Sequence, residues 1–213
     1  MSVEMFAPAW YYVGDVNEEY QKRIEELFKP FISNDDNFSD AVGWNCNVQT
    51  SFQHANNGSA PWTQWLECLR PQVDEFMDEL QPLCDIEIIP QEAWVNKYHK
   101  GDHQEYHDHA VPQCNLSMVY FHTLTPGEKS NFKFYNNSHS LYKSCGLVDV
   151  FNLPTGFAIE PKIRQGSLVI FPSFYPHYVT PNNSDHERVT LSGNFWVVPD
   201  DKASAKACKL PNP

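Results

Sequence analysis

Four of the nine histidines lie within one segment of thirteen residues, YHKGDHQEYHDHA, which runs from Tyr98 to Ala110. Imidazole is the commonest protein ligand for transition metals, so this crowding suggests a metal site. If the segment is extended, His107 and His109 project from the same face of a strand, because side chains alternate with a period of two. This interpretation predicts that both rings reach one ion.

Two other interpretations of the same segment must be weighed. On a helix, His99, His103 and His107 would stack four residues apart, but Gly101 interrupts the segment and the helical apolar period is absent. Alternatively, some histidines lie on a polar surface, and this is the default interpretation for His99, His103 and His139.

Two ligands do not hold a catalytic iron firmly, so a third must come from elsewhere in the chain. The stretch GSLVIFPSFYPHYVTPNNSDHERVTL supplies His177, which follows an apolar strand and precedes Arg188 by eleven residues. A buried arginine requires an anion, and a ligand carboxylate suits its planar guanidinium.

The chain before residue 85 is predicted to be helical. DVNEEYQKRIEELFKPFI opens with Asp15 and Glu18 at capping-box spacing and keeps an apolar helical face. WTQWLECLRPQVDEFMDELQP keeps the same period around Pro71, which predicts a kink or a helix that restarts there.

From about Asp85 the apolar period changes to two, and the predicted strands are DIEIIPQEAWVNKY, CNLSMVYFHT, NFKFYNN, TGFAIEPKI, GSLVIFP and ERVTLSGNFWVV. Helices followed by strands indicate a mainly β, α+β fold in which the helices pack on one face of the sheet. We expect one domain over 1–213, with helical support at 1–84, a β core at 85–200 and a tail at 201–213. Asn136–Thr155 is predicted to be an insertion that serves as a lid, binding loop or spacer.

The last predicted strand has one apolar and one polar face. Its apolar residues are Val189, Leu191, Phe195 and Val197, and its polar-face residues are Arg188, Thr190, Ser192, Asn194 and Trp196. In a barrel backed by helices, the polar face lines a cavity and Arg188 points inward.

Composition excludes several classes of protein. The formal net charge of −12, without a basic stripe, argues against nucleic acid as a partner. No apolar run reaches the roughly 20 residues that span a bilayer, and the first residues do not resemble a signal peptide. The six cysteines contain no CxxC pair and are expected to be free thiols in a cytoplasmic protein.

The chain resembles the 2-oxoglutarate/Fe(II)-dependent dioxygenases, close to oxygenases of bacteria and phages and similar in layout to prolyl 4-hydroxylases. The family pattern is glycine, a short gap, His-x-Asp/Glu, a long gap, histidine, about ten residues, then Arg or Lys. Here Gly101 precedes His107 by six residues, LSMVYF resembles the subfamily's SGVYY strand, and SLVIFPSFYPHYVTPNNSDHER matches the closing motif. The likeness runs from about Trp94 to Val198 and implies a double-stranded β-helix, a jelly-roll barrel.

The resemblance also implies a set of ligands. Iron would be bound by His107, His109 and His177, although His109 stands where the family usually has Asp or Glu. Asp108 is the alternative carboxylate ligand, but on a strand it should face away. Co-substrate contacts are expected from Arg188, which would bind the far carboxylate of 2-oxoglutarate, and from Tyr120, Thr190 and Asn96.

The implied function is a hydroxylase that uses Fe(II), 2-oxoglutarate and dioxygen to oxidise an unidentified small-molecule or peptide substrate, with a prolyl one suggested by analogy. The expected setting is the cytoplasm of a bacterial or phage-infected cell. Two alternatives stay open. One is a three-histidine iron dioxygenase that does not use 2-oxoglutarate, and the other is a non-catalytic jelly-roll binding module.

Overall fold

The structure, a computed structural model, describes residues 9–124, 132–146 and 156–200. Its helices are α1 (Glu18–Ile32), α2 (Trp62–Leu80) and α3 (His139–Ser144). Its strands are β1 (Tyr12–Asp15), β2 (Ser39–Asp40), β3 (Gln49–Thr50), β4 (Ile86–Tyr98), β5 (Gln104–His107), β6 (Leu116–Thr123), β7 (Phe132–Tyr135), β8 (Ala158–Ile159), β9 (Ser167–Pro172), β10 (His177–Val179) and β11 (Arg188–Pro199).

The two long helices differ in detail from their predictions. The N-cap of α1 is Asn17, whose side-chain oxygen accepts a hydrogen bond from the backbone N–H of Glu19 at 2.9 Å. Asp15 is therefore not the capping residue. It ends β1, and its carboxylate accepts a hydrogen bond from Ser167 Oγ at 2.7 Å. Pro71 lies inside one continuous helix, α2, rather than at the start of a second one.

The strands form two antiparallel sheets of a jelly roll. The larger sheet has the order β1-β9-β6-β11-β4-β3-β2, and the smaller has the order β5-β10-β7-β8. One core cluster joins α1 and α2 to the larger sheet, and a second lies between the two sheets. The mainly β fold with helices on one face is confirmed, but the segment 1–84 also contributes three short strands to the larger sheet.

β11 is the strand that organises the larger sheet, since it pairs with β4 on one side and β6 on the other. Its predicted alternation is confirmed. Val189, Leu191 and Phe195 belong to the cluster on the helix side. Arg188 and Thr190 are also buried but line a cavity on the opposite face.

Two smaller predictions need correction or fall partly outside the described residues. The predicted insertion Asn136–Thr155 contains α3, and residues 147–155 and the tail 201–213 lie outside the described ranges. Cys84 is disulfide-bonded, whereas four other cysteines are free thiols, so the expectation of free thiols is wrong for Cys84. Sequence spacing does not reveal such a bond because folding brings distant cysteines together.

In the described ranges, no helix combines the length and the apolar character needed to cross a bilayer.

Packing of the helices on the sheet can be tested at Phe28. Its side chain is fully buried, and its ring lies 5.2 Å from that of Trp62. Phe28→Ala should lower the free energy of unfolding by about 3–5 kcal/mol, because it leaves a cavity in the core. The control Glu26→Ala, on the exposed face of α1, should change it by less than about 0.5 kcal/mol. Equal effects of the two substitutions in urea denaturation would contradict this packing.

Candidate metal centre and its two cavities

Three histidines from distant parts of the sequence meet at one point. His107 ends β5 and His177 begins β10, and the two are paired in register. Their ring centroids are 4.2 Å apart, and each lies 5.2 Å from the ring of His109. One ring nitrogen of each histidine lies within 4.8 Å of those of the other two, which is compatible with binding a single ion.

The Nδ1 atom of each ring lies against an oxygen acceptor. The partners are the backbone carbonyls of Glu105 at 2.7 Å and Tyr175 at 3.0 Å for His107 and His177, and the side-chain oxygen of Asn194 at 2.6 Å for His109. Because a carbonyl oxygen can only accept, each Nδ1 must carry the hydrogen. The Nε2 lone pair of each ring is therefore available to a metal.

Asn194 is itself held in this orientation. Its amide nitrogen lies 3.3 Å from a carboxylate oxygen of Glu92, and Ser117 Oγ donates to its amide oxygen at 2.8 Å. The carboxylate can only accept, so the amide oxygen faces His109. The role of Asn194 was missed in the sequence, although its place on the polar face of β11 was the available signal.

The electrostatics of the cluster favour neutral rings. Burial lowers the pKa of His107, His109 and His177, and for His177 the neighbouring histidines lower it further, to well below 6.5. Asp108 is exposed, and its carboxylate accepts a hydrogen bond from the backbone N–H of Ala110 at 3.0 Å. Among the described residues, the group able to hold a metal consists of the three histidines and does not include Asp108.

The histidines lie between two cavities. The inner cavity extends from the three rings to Arg188 and Tyr98. The outer mouth opens on the other side of His107 and His109, and Trp44, Phe52 and Trp94 line it together with Glu92, Glu105 and Asp108. His177 lines only the inner cavity.

A buried cation lies at the far end of the inner cavity. Arg188 is only 5% exposed, and its guanidinium carbon lies 4.2 Å from the ring centroid of Tyr98, its partner in register on β4. Thr190 and Asn96, also paired in register, are buried and line the same cavity. Three of the four predicted co-substrate residues therefore lie together.

The acidic neighbours of Arg188 in sequence have other partners. Asp185 forms an ion pair with Lys100 at 2.8 Å, and Glu187 lies 3.1 Å from a ring nitrogen of His99. The guanidinium itself lies over the Tyr98 ring and lines the cavity.

Tyr98 links the cation to the histidines. Its hydroxyl donates to the amide oxygen of Gln104 at 2.8 Å, and the amide nitrogen of Gln104 lies 3.5 Å from Nε2 of His107. Burial raises the pKa of Tyr98 to about 12, so the phenol keeps its proton and remains a donor at neutral pH.

The fourth predicted co-substrate residue, Tyr120, is not in the cavity. It belongs to the cluster on the helix side of the sheet, with Met118 on the same face of β6. Ser117 and Val119 face the cavity side, so Tyr120 points away from it by strand alternation. Tyr98, rather than Tyr120, is the tyrosine that lines the cavity beside Arg188.

The surface histidines lie apart from this centre. His99 contacts Glu187, His139 begins α3, and His103 lies in the turn before β5, and none of the three joins the metal-binding group.

Acidification of the metal-free protein tests the burial of His177. Its pKa is depressed in the folded state, so above 6.5 the ring is neutral in both states and contributes no pH dependence. As the pH falls below 6.5, the unfolded chain takes up a proton that the folded chain resists, and stability declines. Between pH 7.5 and 5.5, wild type should lose on the order of 1 kcal/mol more unfolding free energy than His177→Gln. Parallel pH profiles from denaturant titrations would contradict this.

Comparisons with known proteins place this geometry in context. A Pseudomonas putida prolyl-4-hydroxylase aligns with a TM-score of 0.59 at 16% identity, over 89% of this chain and 94% of that chain. A Trichoplax adhaerens prolyl hydroxylase, solved with a hypoxia inducible factor peptide, gives 0.57 at 13% identity over 95% and 87%. HygX from Streptomyces hygroscopicus, solved with nickel and 2-oxoglutarate, gives 0.54 at 10% identity over 90% and 84%. At such identities the likeness establishes the fold alone, which is the jelly roll of these oxygenases.

A search of curated protein sequences found no significant match. A family model described as "Putative 2OG-Fe(II) oxygenase" matches residues 92–194, a stretch that contains the three clustered histidines and Arg188. Through this stretch the chain matches the 2OG-Fe(II) oxygenases, a family of oxidoreductases named for the two cofactors, Fe(II) and 2-oxoglutarate, that they use with dioxygen.

Proposed function

We propose that this protein is an Fe(II)- and 2-oxoglutarate-dependent hydroxylase in which His107, His109 and His177 bind the iron and Arg188 binds the co-substrate. The observation that supports this most directly is the convergence of three imidazoles on one side of a cavity that ends at a buried guanidinium.

The donor set fits ferrous iron. Three neutral nitrogen ligands on one face of an octahedral ion leave the opposite positions open to small molecules, as non-haem iron oxygenases require. Hydrogen bonds from each Nδ1 to an oxygen fix the ring orientations before any ion arrives. Compared with a site containing one carboxylate, three imidazoles leave the centre more positive by one charge.

The lining of the inner cavity suits the chemistry of 2-oxoglutarate, whose two carboxylates are separated by three carbons. The keto acid end would reach the iron, and the far carboxylate would meet Arg188, with a hydrogen bond from the Thr190 hydroxyl. Asn96 Nδ2 donates to the Tyr98 hydroxyl at 3.4 Å and Asn96 Oδ1 is buried without a hydrogen-bond partner, so turning the amide over would offer a donor to a ligand.

When both cofactors are bound, they supply an oxidation in which 2-oxoglutarate, dioxygen and a substrate C–H become succinate, carbon dioxide and a C–OH. The residues of this chain bind and orient the reactants. Tyr98 donates a hydrogen bond to Gln104 and so fixes this side chain beside His107. Phe132 and Phe171 help to exclude water from the inner cavity.

Two other functions compete with this one. A three-histidine dioxygenase that oxidises its substrate without 2-oxoglutarate is favoured by the absence of a carboxylate from the cluster. It leaves the buried pair of Arg188 and Tyr98 without a ligand to bind. A non-catalytic jelly-roll module would not need three Nδ1 atoms held by hydrogen bonds. A prolyl or peptidyl substrate has only the family resemblance in its favour.

The proposed setting is the cytoplasm of a bacterial or phage-infected cell. A reducing compartment keeps iron ferrous and suits the four free thiols, whereas the bonded Cys84 is a feature of oxidising compartments.

Uncoupled turnover tests the proposed function. Protein purified without oxygen and given Fe(II), 2-oxoglutarate and air should release succinate, and His177→Ala should lose both iron and succinate formation because the third ligand is gone. His139→Ala, which removes a histidine far from the cluster, should keep both. Oxygen consumption that does not require 2-oxoglutarate would favour the first alternative, and failure to bind iron would favour the second.

A second test concerns the co-substrate cation. Arg188→Ala should weaken 2-oxoglutarate binding by about 1.5–3 kcal/mol, the usual value for a hydrogen bond to a charged group. Iron content should remain near normal, as measured by metal analysis beside calorimetric titration. Arg164→Ala, which removes an exposed arginine paired with Asp15, is the matched control. Simultaneous loss of iron and co-substrate in Arg188→Ala would instead make Arg188 a structural residue.

A further inference from the structure

The outer mouth has an aromatic wall, a row of rings that contacts His107 at one end and His109 at the other. The ring of Trp44 lies 6.5 Å from that of His107 and 5.5 Å from that of Phe52. Phe52 lies 5.2 Å from Trp94, which lies 5.6 Å from His109. Together with the 5.2 Å contact between the two histidines, these five rings form a closed circuit at the entrance to the site.

The polar groups of this mouth are acidic. Glu92, Glu105 and Asp108 line it, and among its described lining residues there is no lysine or arginine. Glu105 Oε2 is buried without a hydrogen-bond partner, and Trp94, only 4% exposed, has an equally unpartnered indole N–H. A buried carboxylate oxygen without a partner is costly unless a ligand supplies one.

Aromatic faces and carboxylates attract the same type of ligand. The face of an aromatic ring carries partial negative charge and binds ammonium or guanidinium groups, most strongly when they are desolvated. A carboxylate adds a charged hydrogen bond, and the net charge of −12 draws cations towards the surface.

From this arrangement, and resting on the proposed function, we propose that the substrate carries a positively charged nitrogen, either alkylammonium or guanidinium, that binds in the outer mouth. The cation would lie between the Trp44–Phe52–Trp94 wall and the carboxylates of Glu105 and Asp108. A neighbouring C–H of the same molecule would then face the metal, and the overall change is that of the hydroxylation above, with C–H becoming C–OH as 2-oxoglutarate becomes succinate and carbon dioxide.

Repulsion between this cation and the iron is limited by the co-substrate. The charges of Fe(II) and Arg188 are reduced by the two carboxylates of 2-oxoglutarate to a net charge of +1, because the three imidazoles contribute none, and the three carboxylates that line the mouth outweigh it. The positive charge of Arg188 lies in the inner cavity, on the other side of the histidines. The cation is thus attracted by the carboxylates of the mouth without a comparable net charge opposing it.

Binding to a catalytically inert form tests this directly. The full chain, loaded with Ni(II) and saturated with 2-oxoglutarate, is titrated calorimetrically with Nα-acetyl-lysine N-methylamide and with its neutral isostere, the Nα-acetyl N-methylamide of 2-aminoheptanoic acid, in which a methyl group replaces the ammonium group. The charged probe should bind at least about tenfold more tightly, a difference that corresponds to one charged contact. Equal affinity of the two probes, or tighter binding of the neutral one, would overturn the proposal.

One further probe, free lysine, distinguishes the source of the charge, and both outcomes support a cationic substrate. Free lysine binding as well as the blocked amide would indicate a small-molecule substrate. Preference for the blocked amide would indicate a residue within a peptide.

Variants locate the binding site. Glu105→Gln and Asp108→Asn keep the backbone carbonyl that holds His107 and the side-chain acceptor for Ala110, so together they remove charge with little change in shape. The double variant should weaken binding of the charged probe by about threefold to tenfold for each charge, and Trp44→Leu should weaken it by about threefold or more. Asp78→Asn, on the exposed face of α2, should have no effect. Unchanged affinity in both mouth variants would overturn the proposal.

Failure of the inference about the substrate can be distinguished from failure of the proposed function. Nickel content and 2-oxoglutarate affinity are measured on each variant in the absence of probe. If 2-oxoglutarate binds and the charged probe shows no preference, the inference about the substrate fails alone. If 2-oxoglutarate does not bind, the proposed function fails, and titration of the nickel form without it still reports whether the mouth selects cations.

Discussion

The site depends on the register of β11 between β4 and β6. Because side chains alternate along a strand, one register places Leu191 against the helices and Arg188 in the inner cavity. A slip by one residue would bury the guanidinium in the apolar cluster and expose the leucine to the cavity. Full burial of the apolar row therefore also fixes the position of the cation.

The same strand orients one of the three clustered histidines. His107 and His177 are neighbours within the smaller sheet, whereas His109 lies beyond the end of β5 and is oriented by Asn194 of β11. The geometry of the three rings thus depends on how the two sheets pack. Arg188 and Asn194 are on one strand, so the distance between the buried guanidinium and the candidate metal centre is set by a rigid element.

Local patterns in the sequence were sufficient to predict part of this site. Alternation predicted both the pairing of His107 with His109 and the cavity face of β11. Alternation did not reveal which face of β6 lines the cavity, because residues of both faces are apolar. Tyr120 was therefore assigned to the wrong face. Ser117, a fully buried polar residue on that strand, marks the cavity side. The contact of Trp44 with His107 joins residues more than sixty positions apart and depends on loop conformation, which no local period encodes.

The charges of the site are ordered along one direction. Arg188 lies at the inner end, the three neutral imidazoles lie in the middle, and Glu105 and Asp108 lie at the mouth. Such an order gives each cavity a preference for ligands of opposite sign. An anionic keto acid is attracted to the inner end and repelled at the mouth, and a cation has the reverse preference. Two reactants of opposite charge would thereby be kept from occupying each other's positions, and selectivity would come from separation of charge rather than from a close steric fit alone.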